Sequence, residues 1–283
     1  MEAVGKCLQK TEYPAFLANN LQFPEKDDAE IIYPESDGEP MGETGYHVRA
    51  SMDLCSSLRQ FFAQRKEVYV AADMFFYYGE GNPKACKAPD IMVIIGCGNQ
   101  ERRTYKLWEE KFVPAVVFEV TSKSSMIDDM VTKPMLYASL GIREYFIFDP
   151  LYEYLETPLA GFRLYEREDN RILPDEEGRL FSNELQVFLK RENEYLRVID
   201  PETGKAVPTL AEAIFLASQE AQRAEKEAQR AEKEAQRAEK ETQRAEKEIQ
   251  RAEQETRKAM KERERAERLA AKLREMGMDP AQI

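Results

Sequence analysis

Two carboxylates stand within runs of apolar residues, and they are the first candidates for chemistry. Asp90 follows Pro89 and opens the run DIMVIIG, and Glu119 lies within the run AVVFEVT. Burying a carboxylate is unfavourable unless a cation or hydrogen bonds compensate its charge. On neighbouring strands, the two acids could jointly hold a divalent cation that activates water and stabilises charge on a phosphate. Spacing alone leaves the alternative open that Glu119 pairs with a Lys or Arg and that Asp90 caps a turn.

The histidine and cysteine content of the chain limits the kind of metal site that it can form. The chain has one histidine, His47, which excludes HExxH and two-histidine sites. A catalytic metal would be held mainly by carboxylates and carbonyls, which favour Mg²⁺ or Mn²⁺ over Zn²⁺. The four cysteines are scattered without a CxxC pair, which indicates reduced thiols in a cytoplasmic protein. No apolar run reaches the roughly 18 residues of a membrane span, and the first residues lack the apolar stretch of a secretory signal.

Apolar periodicity predicts the elements that would position the two acids. A turn-rich loop over 34–46 precedes a helix over roughly Gly45–Arg65. The apolar face of this helix is predicted to contain Val48, Met52, Cys55, Leu58 and Phe62. Strands are predicted at Glu67–Ala72, Asp73–Tyr78, Asp90–Gly96, Ala115–Thr121 and Glu144–Phe148. The third and fourth of these are nearly continuous apolar runs, as expected for strands covered on both faces.

Later segments complete a mixed α/β layout. A helix over about Asp128–Leu140 should end at Gly141, a favourable C-terminal cap. Gly161–Tyr165 and Tyr195–Ile199 alternate in polarity and suggest a peripheral antiparallel sheet. The order of helix, strands, helix and strand favours an α/β fold built around a central sheet.

The segments that carry the acids also resemble a known family. APDIMVI, VVFEVTSKS and DDMVTKPMLYASLGIREYFIFDP resemble the Uma2 family, which is assigned to the PD-(D/E)XK nuclease superfamily. The resemblance spans about 200 residues and includes YPESDGEPMGET, VYVAADMFFYY and YKLWEEKFVPAVVFEVTS. It implies a restriction-endonuclease-like mixed sheet core with flanking helices. It also implies an endonuclease that hydrolyses DNA phosphodiester bonds with the help of a metal ion.

This resemblance assigns roles to individual residues. Asp90 matches the Asp of the PD element, and Glu119 matches the acid of the (D/E)XK strand. The implied ligands of a Mg²⁺ or Mn²⁺ ion are these two acids and the backbone carbonyl of Val120. Thr121 stands where the superfamily pattern places its lysine. The family pattern points instead to Lys133, which could orient the attacking water or offset charge on the phosphate.

Two questions about the lysine stay open: which lysine serves the site, and what backbone geometry Lys133 has. Lys133 belongs to a D…K…Y…G pattern, which here comprises Asp129, Lys133, Tyr137 and Gly141. Lys123 is a competing candidate because it comes soon after Glu119. Pro134 disfavours regular helical geometry in the residue before it, so Lys133 is expected at a helix start or a kink. Either lysine could also be an ordinary solvated surface cation.

Four further residues receive weaker assignments. Glu43 precedes the first predicted helix, where nucleases of the superfamily can carry an additional metal-binding acid. His47 is expected to be a hydrogen-bonded structural residue, because no second histidine can complete a site with it. Tyr137 and Tyr145 are expected to pack in the core.

The charge distribution bears on the proposed DNA substrate. From Ala211 onward the chain has 17 basic and 17 acidic residues, so the first 210 residues carry the whole net charge of −12. An acidic domain binds nucleic acid poorly unless a bound metal and a local basic patch offset the charge. The predicted patch comprises Arg102, Arg103, Lys106, Lys111 and Lys123. Two alternatives stay open: a catalytically inactive nuclease-fold binding protein, and a scaffold that acts through its C-terminal part.

A long charged helix is predicted after the α/β domain, which divides the chain into domains 1–210 and 211–283. The heptad AQRAEKE recurs at Ala221, Ala228 and Ala235, and no Gly or Pro interrupts the pattern before Gly277. The a and d positions are almost all alanine, while e and g are both Glu, so self-pairing would be weak and would set Glu against Glu. Residues 221–276 could form a homodimeric coiled coil, bind another protein, or act as a solitary helical spacer.

Overall fold

The computed structural model describes residues 31–36, 43–166 and 170–275. The chain divides into two compact units, Met1–Ile214 and Phe215–Ile283. The domain division at residues 210 and 211 stays a prediction. The strands are β1 (Val68–Ala72), β2 (Phe76–Tyr77), β3 (Cys86–Lys87), β4 (Ile91–Ile95), β5 (Tyr105–Lys106), β6 (Pro114–Val120), β7 (Glu144–Phe148), β8 (Leu159–Arg163), β9 (Leu180–Ser182), β10 (Val187–Glu192) and β11 (Tyr195–Ile199). The helices are α1 (Gly45–Phe61), α2 (Leu107–Glu110), α3 (Lys133–Ser139) and α4 (Leu210–Glu275), and a π-helical turn (Asp128–Thr132) leads directly into α3.

A five-stranded mixed sheet forms the centre of the first unit, in the order β1-β4-β6-β7-β8. β6 and β7 run parallel, and the other neighbouring pairs run antiparallel. Every residue of β4 and β6 is buried, which confirms that apolar runs without alternation form strands covered on both faces. The predicted α/β class with a mixed central sheet is therefore confirmed.

Alternate residues of the central strands face two different hydrophobic layers. Val93 of β4 and Phe118 of β6 belong to the layer that includes residues of α1. Met92 and Val117 belong to the opposite layer, which includes Tyr137 of α3. By the same alternation, Glu119 faces the layer of α3.

One strand that was predicted in a peripheral sheet belongs to the central sheet. The segment predicted at Gly161–Tyr165 is β8, which pairs with β7 in the central sheet rather than in a peripheral one. Its Gly161 lies against a ring: a Cβ atom there would come within 2.6 Å of Phe146. Tyr195–Ile199 does form part of a separate antiparallel sheet, in the order β11-β10-β9. A third small sheet has the order β3-β2-β5.

Helix α1 begins where predicted, and Cys55, Leu58 and Phe62 are buried as predicted, but the rest of its buried face differs. Thr44 caps its N-terminus, since the Thr44 hydroxyl accepts the backbone N–H of His47. Val48 and Met52, which were predicted to face the core, are 43% and 62% exposed. The buried face comprises His47, Ala50, Leu54, Cys55, Ser57 and Leu58. The prediction for Val48 and Met52 was wrong because apolar residues occupy two sides of α1, and packing against the sheets selected one.

The second unit contains the predicted long helix. α4 extends over 66 residues, and nearly all of its side chains from Phe215 onward are exposed. In the clean heptads a Gln side chain donates to the Glu four residues earlier, as between Gln229 and Glu225. Gly277, the first residue that interrupts the predicted helical pattern, lies outside the described residues.

Within the described ranges, no helix combines the length and the apolar character that crossing a membrane requires. The cytoplasmic location expected from the cysteine pattern stays a prediction.

Candidate functional site

The two acids singled out by the sequence lie side by side at the ends of β4 and β6. The register pairs Ile91 with Phe118, so Asp90 comes opposite Glu119 one residue further along. The backbone N–H of Asp90 donates to Glu119 Oε2 over 3.5 Å, and Asp90 Oδ2 accepts the backbone N–H of Val120 at 2.6 Å. The antiparallel pairing of two buried strands thus brings together carboxylates that are 29 residues apart in the sequence.

Lys133 meets Glu119 on the side of the sheet that α3 covers. Its ammonium lies 2.8 Å from Glu119 Oε2 and 2.7 Å from Asp129 Oδ1. Both acids are only 1% exposed, while the Lys133 side chain is 14% exposed. Tyr137 donates its hydroxyl to the other oxygen of Glu119 at 2.9 Å. Lys133 therefore joins two buried carboxylates, and Glu119 has a partner for each of its oxygens.

The local helical geometry explains how Lys133 reaches this position. Lys133 is the first residue of α3 and directly follows the π-helical turn, with Pro134 in the first turn of α3. Lys133 begins α3, as expected, but its own φ of −64° and ψ of −46° are regular helical values, so the expected departure from helical geometry before Pro134 was wrong. The wider π-helical turn contains Asp129, whose backbone carbonyl accepts the hydroxyl of Tyr145 at 2.8 Å. This turn holds Asp129 and Lys133 in contact four residues apart.

Asp90 has a second set of contacts, on the side of α1. His47 Nε2 lies 3.2 Å from Asp90 Oδ1, and His47 Nδ1 lies 2.5 Å from Glu43 Oε2. One ligand atom from each of the three residues falls within 4.8 Å of the others, a grouping that could hold a metal ion. His47, expected as a structural residue, thus bridges Glu43 and Asp90.

The electrostatics of the site follow from burial and from these contacts. Burial raises the pKa of the Glu119 carboxyl, while the neighbouring Lys133 ammonium lowers it. Burial disfavours the charged form of Lys133, but Glu119 and Asp129 outweigh this effect and raise the pKa of Lys133. Burial also lowers the pKa of His47, whereas Asp90 and Glu43 outweigh it and raise the value to about 9. Lys133 and His47 are therefore both cationic near neutral pH when no other cation occupies the site.

These residues line an open cleft of about 460 Å³. Its walls include Glu43, His47, Asp90, Glu119 and Lys133, and its rim includes Lys123 and serines of the following turn. The cleft is accessible from solvent, and acids and cations face it together. Such an arrangement can hold a divalent ion beside an anionic substrate.

Three further residues from the sequence analysis lie near the pair formed by Asp90 and Glu119: Val120, Thr121 and Lys123. Val120 contacts Asp90 through its backbone N–H, and its role as a carbonyl ligand stays a prediction. Thr121, at the position of the expected lysine, is buried. Lys123 is exposed at the rim, ten positions before the lysine that contacts Glu119.

The predicted basic patch is largely neutralised by neighbouring acids. The half-buried Arg102 pairs with Glu110, Arg103 pairs with Glu35, and Lys106 pairs with Glu109. Of the five predicted cations, Lys123 is the one that lines the cleft. Three of the five cations that could form a basic patch are thus paired with acids, which sequence proximity does not show. The patch itself stays a prediction.

Sequence analysis gave no role to Asp129 and only core packing to Tyr137. Both contact the site: Asp129 through Lys133 and Tyr137 through Glu119. The signal was present in the spacing, since positions 129, 133 and 137 are four residues apart and share one face of a helix. Tyr137 and Tyr145 are also fully buried, as predicted.

Comparisons with known proteins give one family model and a similar solved structure. The family model of Uma2, described as “Putative restriction endonuclease”, matches residues 17–210. Among solved structures, the chain is similar to the structure described as a putative nuclease belonging to DUF820 from Anabaena variabilis ATCC 29413, solved at 1.96 Å resolution. The sequences are 14% identical, the match covers 50% of this chain and 80% of that chain, and the TM-score is 0.36. No curated protein matches the chain at a significant level.

Proposed function

Because this chain belongs to the Uma2 family, we propose that it is a metal-dependent endonuclease that hydrolyses DNA phosphodiester bonds in the cleft around Asp90 and Glu119. One observation carries this proposal: two acids from separate strands meet in an open cleft, with the ammonium of Lys133 2.8 Å from Glu119. In such a cleft the acids can hold a divalent cation, and the cation and the lysine can stabilise negative charge on a phosphate.

The residues of the cleft fit a hard divalent cation. Asp90 and Glu119 supply carboxylate oxygens, and Val120 is proposed to add its backbone carbonyl, which is the ligand chemistry that Mg²⁺ and Mn²⁺ prefer. A Mg²⁺ or Mn²⁺ ion bound there supplies a water of lowered pKa and positive charge beside the scissile phosphate. Glu43 is proposed as an additional acid that acts on this site through His47.

Lys133 acts in this proposal as a fixed charge rather than as a base. Its pKa is raised by Glu119 and Asp129, so it keeps its proton near neutral pH. A protonated lysine can donate hydrogen bonds to the attacking water or to a phosphate oxygen, and it offsets the charge that develops in the transition state. Lys123 and the hydroxyl groups of Ser122 and Ser124 line the rim and are proposed to contact the DNA backbone.

The direct test is cleavage of DNA by the purified full chain with and without Mg²⁺ or Mn²⁺. Asp90→Ala and Glu119→Ala should each abolish cleavage while the protein stays folded, and Lys133→Ala should strongly reduce it. Glu101→Ala is a matched control, because Glu101 is 72% exposed and pairs with Arg59 outside the cleft. Cleavage that persists in both acid variants would show that the activity comes from elsewhere. Absence of cleavage on any nucleic acid, with no metal binding by calorimetry, would favour a catalytically inactive binding protein.

For the second unit, we propose that α4 is an assembly helix. Its side chains are exposed along the described length, and its alanine seam permits close approach of another helix. The partner is either a second copy of the chain, which would place two cleavage sites in one particle, or a different protein. Light scattering of the full chain and of a version ending at Thr209 separates these outcomes. A dimer that becomes a monomer on truncation supports the homodimer, whereas a monomer in both cases excludes it.

A further inference from the structure

The three residues on the α1 side of the cleft have the arrangement of a histidine that binds metal. His47 is only 8% exposed and lies between two carboxylates. Its Nδ1 lies 2.5 Å from Glu43 Oε2, and its Nε2 lies 3.2 Å from Asp90 Oδ1. Histidines that bind metals commonly donate the other ring N–H to a carboxylate, which fixes the tautomer and the orientation of the ring. Glu43 occupies the place of that orienting carboxylate.

The close approach of Glu43 Oε2 to Nδ1 favours a proton on Nδ1, although the contact lacks hydrogen-bond geometry. Nε2 then faces the acid that is proposed to hold the metal. With the N–H on Nδ1, the lone pair of Nε2 points towards Asp90 Oδ1, and a lone pair facing a carboxylate is repulsive unless a cation lies between them. That cation is either a proton or a metal ion. Either one would lie between His47 Nε2 and Asp90 Oδ1, so replacing the proton by a metal ion requires no rearrangement of Glu43.

The distance between His47 Nε2 and Asp90 Oδ1 suits two ligands of one metal ion. Two ligand atoms at right angles around an ion, with bonds of about 2.1 Å, lie about 3.0 Å apart. The distance between Nε2 and Asp90 Oδ1 is 3.2 Å. Asp90 is also anchored by the backbone N–H of Val120, so its free oxygen is held towards His47.

We propose that a metal ion bound at Asp90 is also coordinated by Nε2 of His47, with Glu43 as the positioning residue that orients the ring. This inference rests on the proposed metal-dependent function and goes beyond it by naming a nitrogen ligand. An imidazole ligand suits transition-metal ions better than Mg²⁺. The site therefore prefers Mn²⁺ to Mg²⁺ by more than a cluster made only of oxygen ligands would.

The single histidine of the chain makes a spectroscopic test unambiguous. The full chain is purified without a histidine tag, loaded with Mn²⁺, and studied by pulsed electron paramagnetic resonance. The expected result is a nitrogen coupling from a directly bound imidazole, which changes when the protein is grown with ¹⁵N-labelled histidine. His47→Gln should abolish this coupling and should weaken Mn²⁺ binding by more than Glu43→Gln does. It removes the ligand itself, whereas losing an orienting residue such as Glu43 typically costs about 10- to 100-fold in affinity. Its effect on Mg²⁺ binding should be smaller.

Glu43→Gln is the matched test of positioning. It should keep the nitrogen coupling while it weakens Mn²⁺ binding, because an amide can still accept the Nδ1 proton but is neutral. If Mn²⁺ binds and Asp90→Ala removes it, but wild-type protein shows no histidine coupling, the inference is wrong and the proposed nuclease site stands. If Mn²⁺ does not bind and cleavage with Mn²⁺ is absent, both the inference and the proposed function fail.

Discussion

Replacing Lys133 by Met is expected to destabilise the fold as well as to remove a proposed catalytic charge. The change keeps the length and apolar stem of the side chain but removes the ammonium that contacts Glu119 and Asp129. Each of these acids is 1% exposed, so water cannot replace the lost partner. Removing one partner from a buried ion pair typically reduces the free energy of unfolding by about 3–5 kcal/mol. We expect a loss in that range at neutral pH.

The pH dependence of this loss has a definite sign. Burial raises the pKa of Glu119 above its ordinary 4.5, and Lys133 opposes that shift. Without Lys133 the folded pKa rises further, so the folded protein binds this proton more tightly than the unfolded chain does. The stability contributed by a raised carboxyl pKa is fully present below the unfolded value and is lost as pH rises through the folded value. The difference between the two proteins depends on pH only between their folded-state pKa values for Glu119, which is about 8 in the wild type and higher in the variant. The deficit of Lys133→Met should therefore shrink as pH falls from alkaline values to about 8 and change little between about pH 8 and about pH 5.

Tryptophan fluorescence during urea unfolding is the suitable assay. Trp108 is the only tryptophan of the chain, and it lies in α2 of the first unit, so its signal does not report the unfolding of α4. Lys123→Met is the matched control, because Lys123 is exposed at the rim and surface changes usually stay within about 0.5 kcal/mol. A loss below about 1 kcal/mol for Lys133→Met, similar to the control, would refute the argument that this ammonium neutralises buried charge.

Two further predictions concern packing and hydrogen bonding around the same sheet. Tyr137→Phe removes the buried hydroxyl that donates to Glu119 and should lower the free energy of unfolding by about 1.5–3 kcal/mol; an unchanged urea midpoint would contradict the importance of this bond. Gly161→Ala would place a Cβ atom 2.6 Å from the ring of Phe146 and should destabilise by about 1–3 kcal/mol in the same assay. Gly45→Ala is its control, since a Cβ atom there meets no other atom within 4 Å; equal effects of the two substitutions would disprove the steric explanation.

Patterns of neighbouring residues in the sequence were sufficient to predict two central strands and the long helix. Continuous apolar runs gave β4 and β6 as strands buried on both faces; Asp90 directly precedes β4, and Glu119 lies within β6. The heptads without Gly or Pro gave α4, because helical hydrogen bonds and propensity are local. The motifs around Asp90, Glu119 and Lys133 were also sufficient to identify the family.

Partners distant in the sequence were decided only by the tertiary structure. The antiparallel register of β4 and β6 placed Asp90 opposite Glu119, and packing of α1 chose a buried face that omits Val48 and Met52. The order of the central sheet, which includes β8, likewise could not be derived from alternation within one segment.

The same limit applies to the candidate site. Neither the contact of Lys133 with Glu119 nor that of His47 with Asp90 could be derived from residue types. Periodicity determines which way a side chain faces within its own element. Only the packing of elements determines which charge it meets, because that contact depends on backbone positions far apart in the chain.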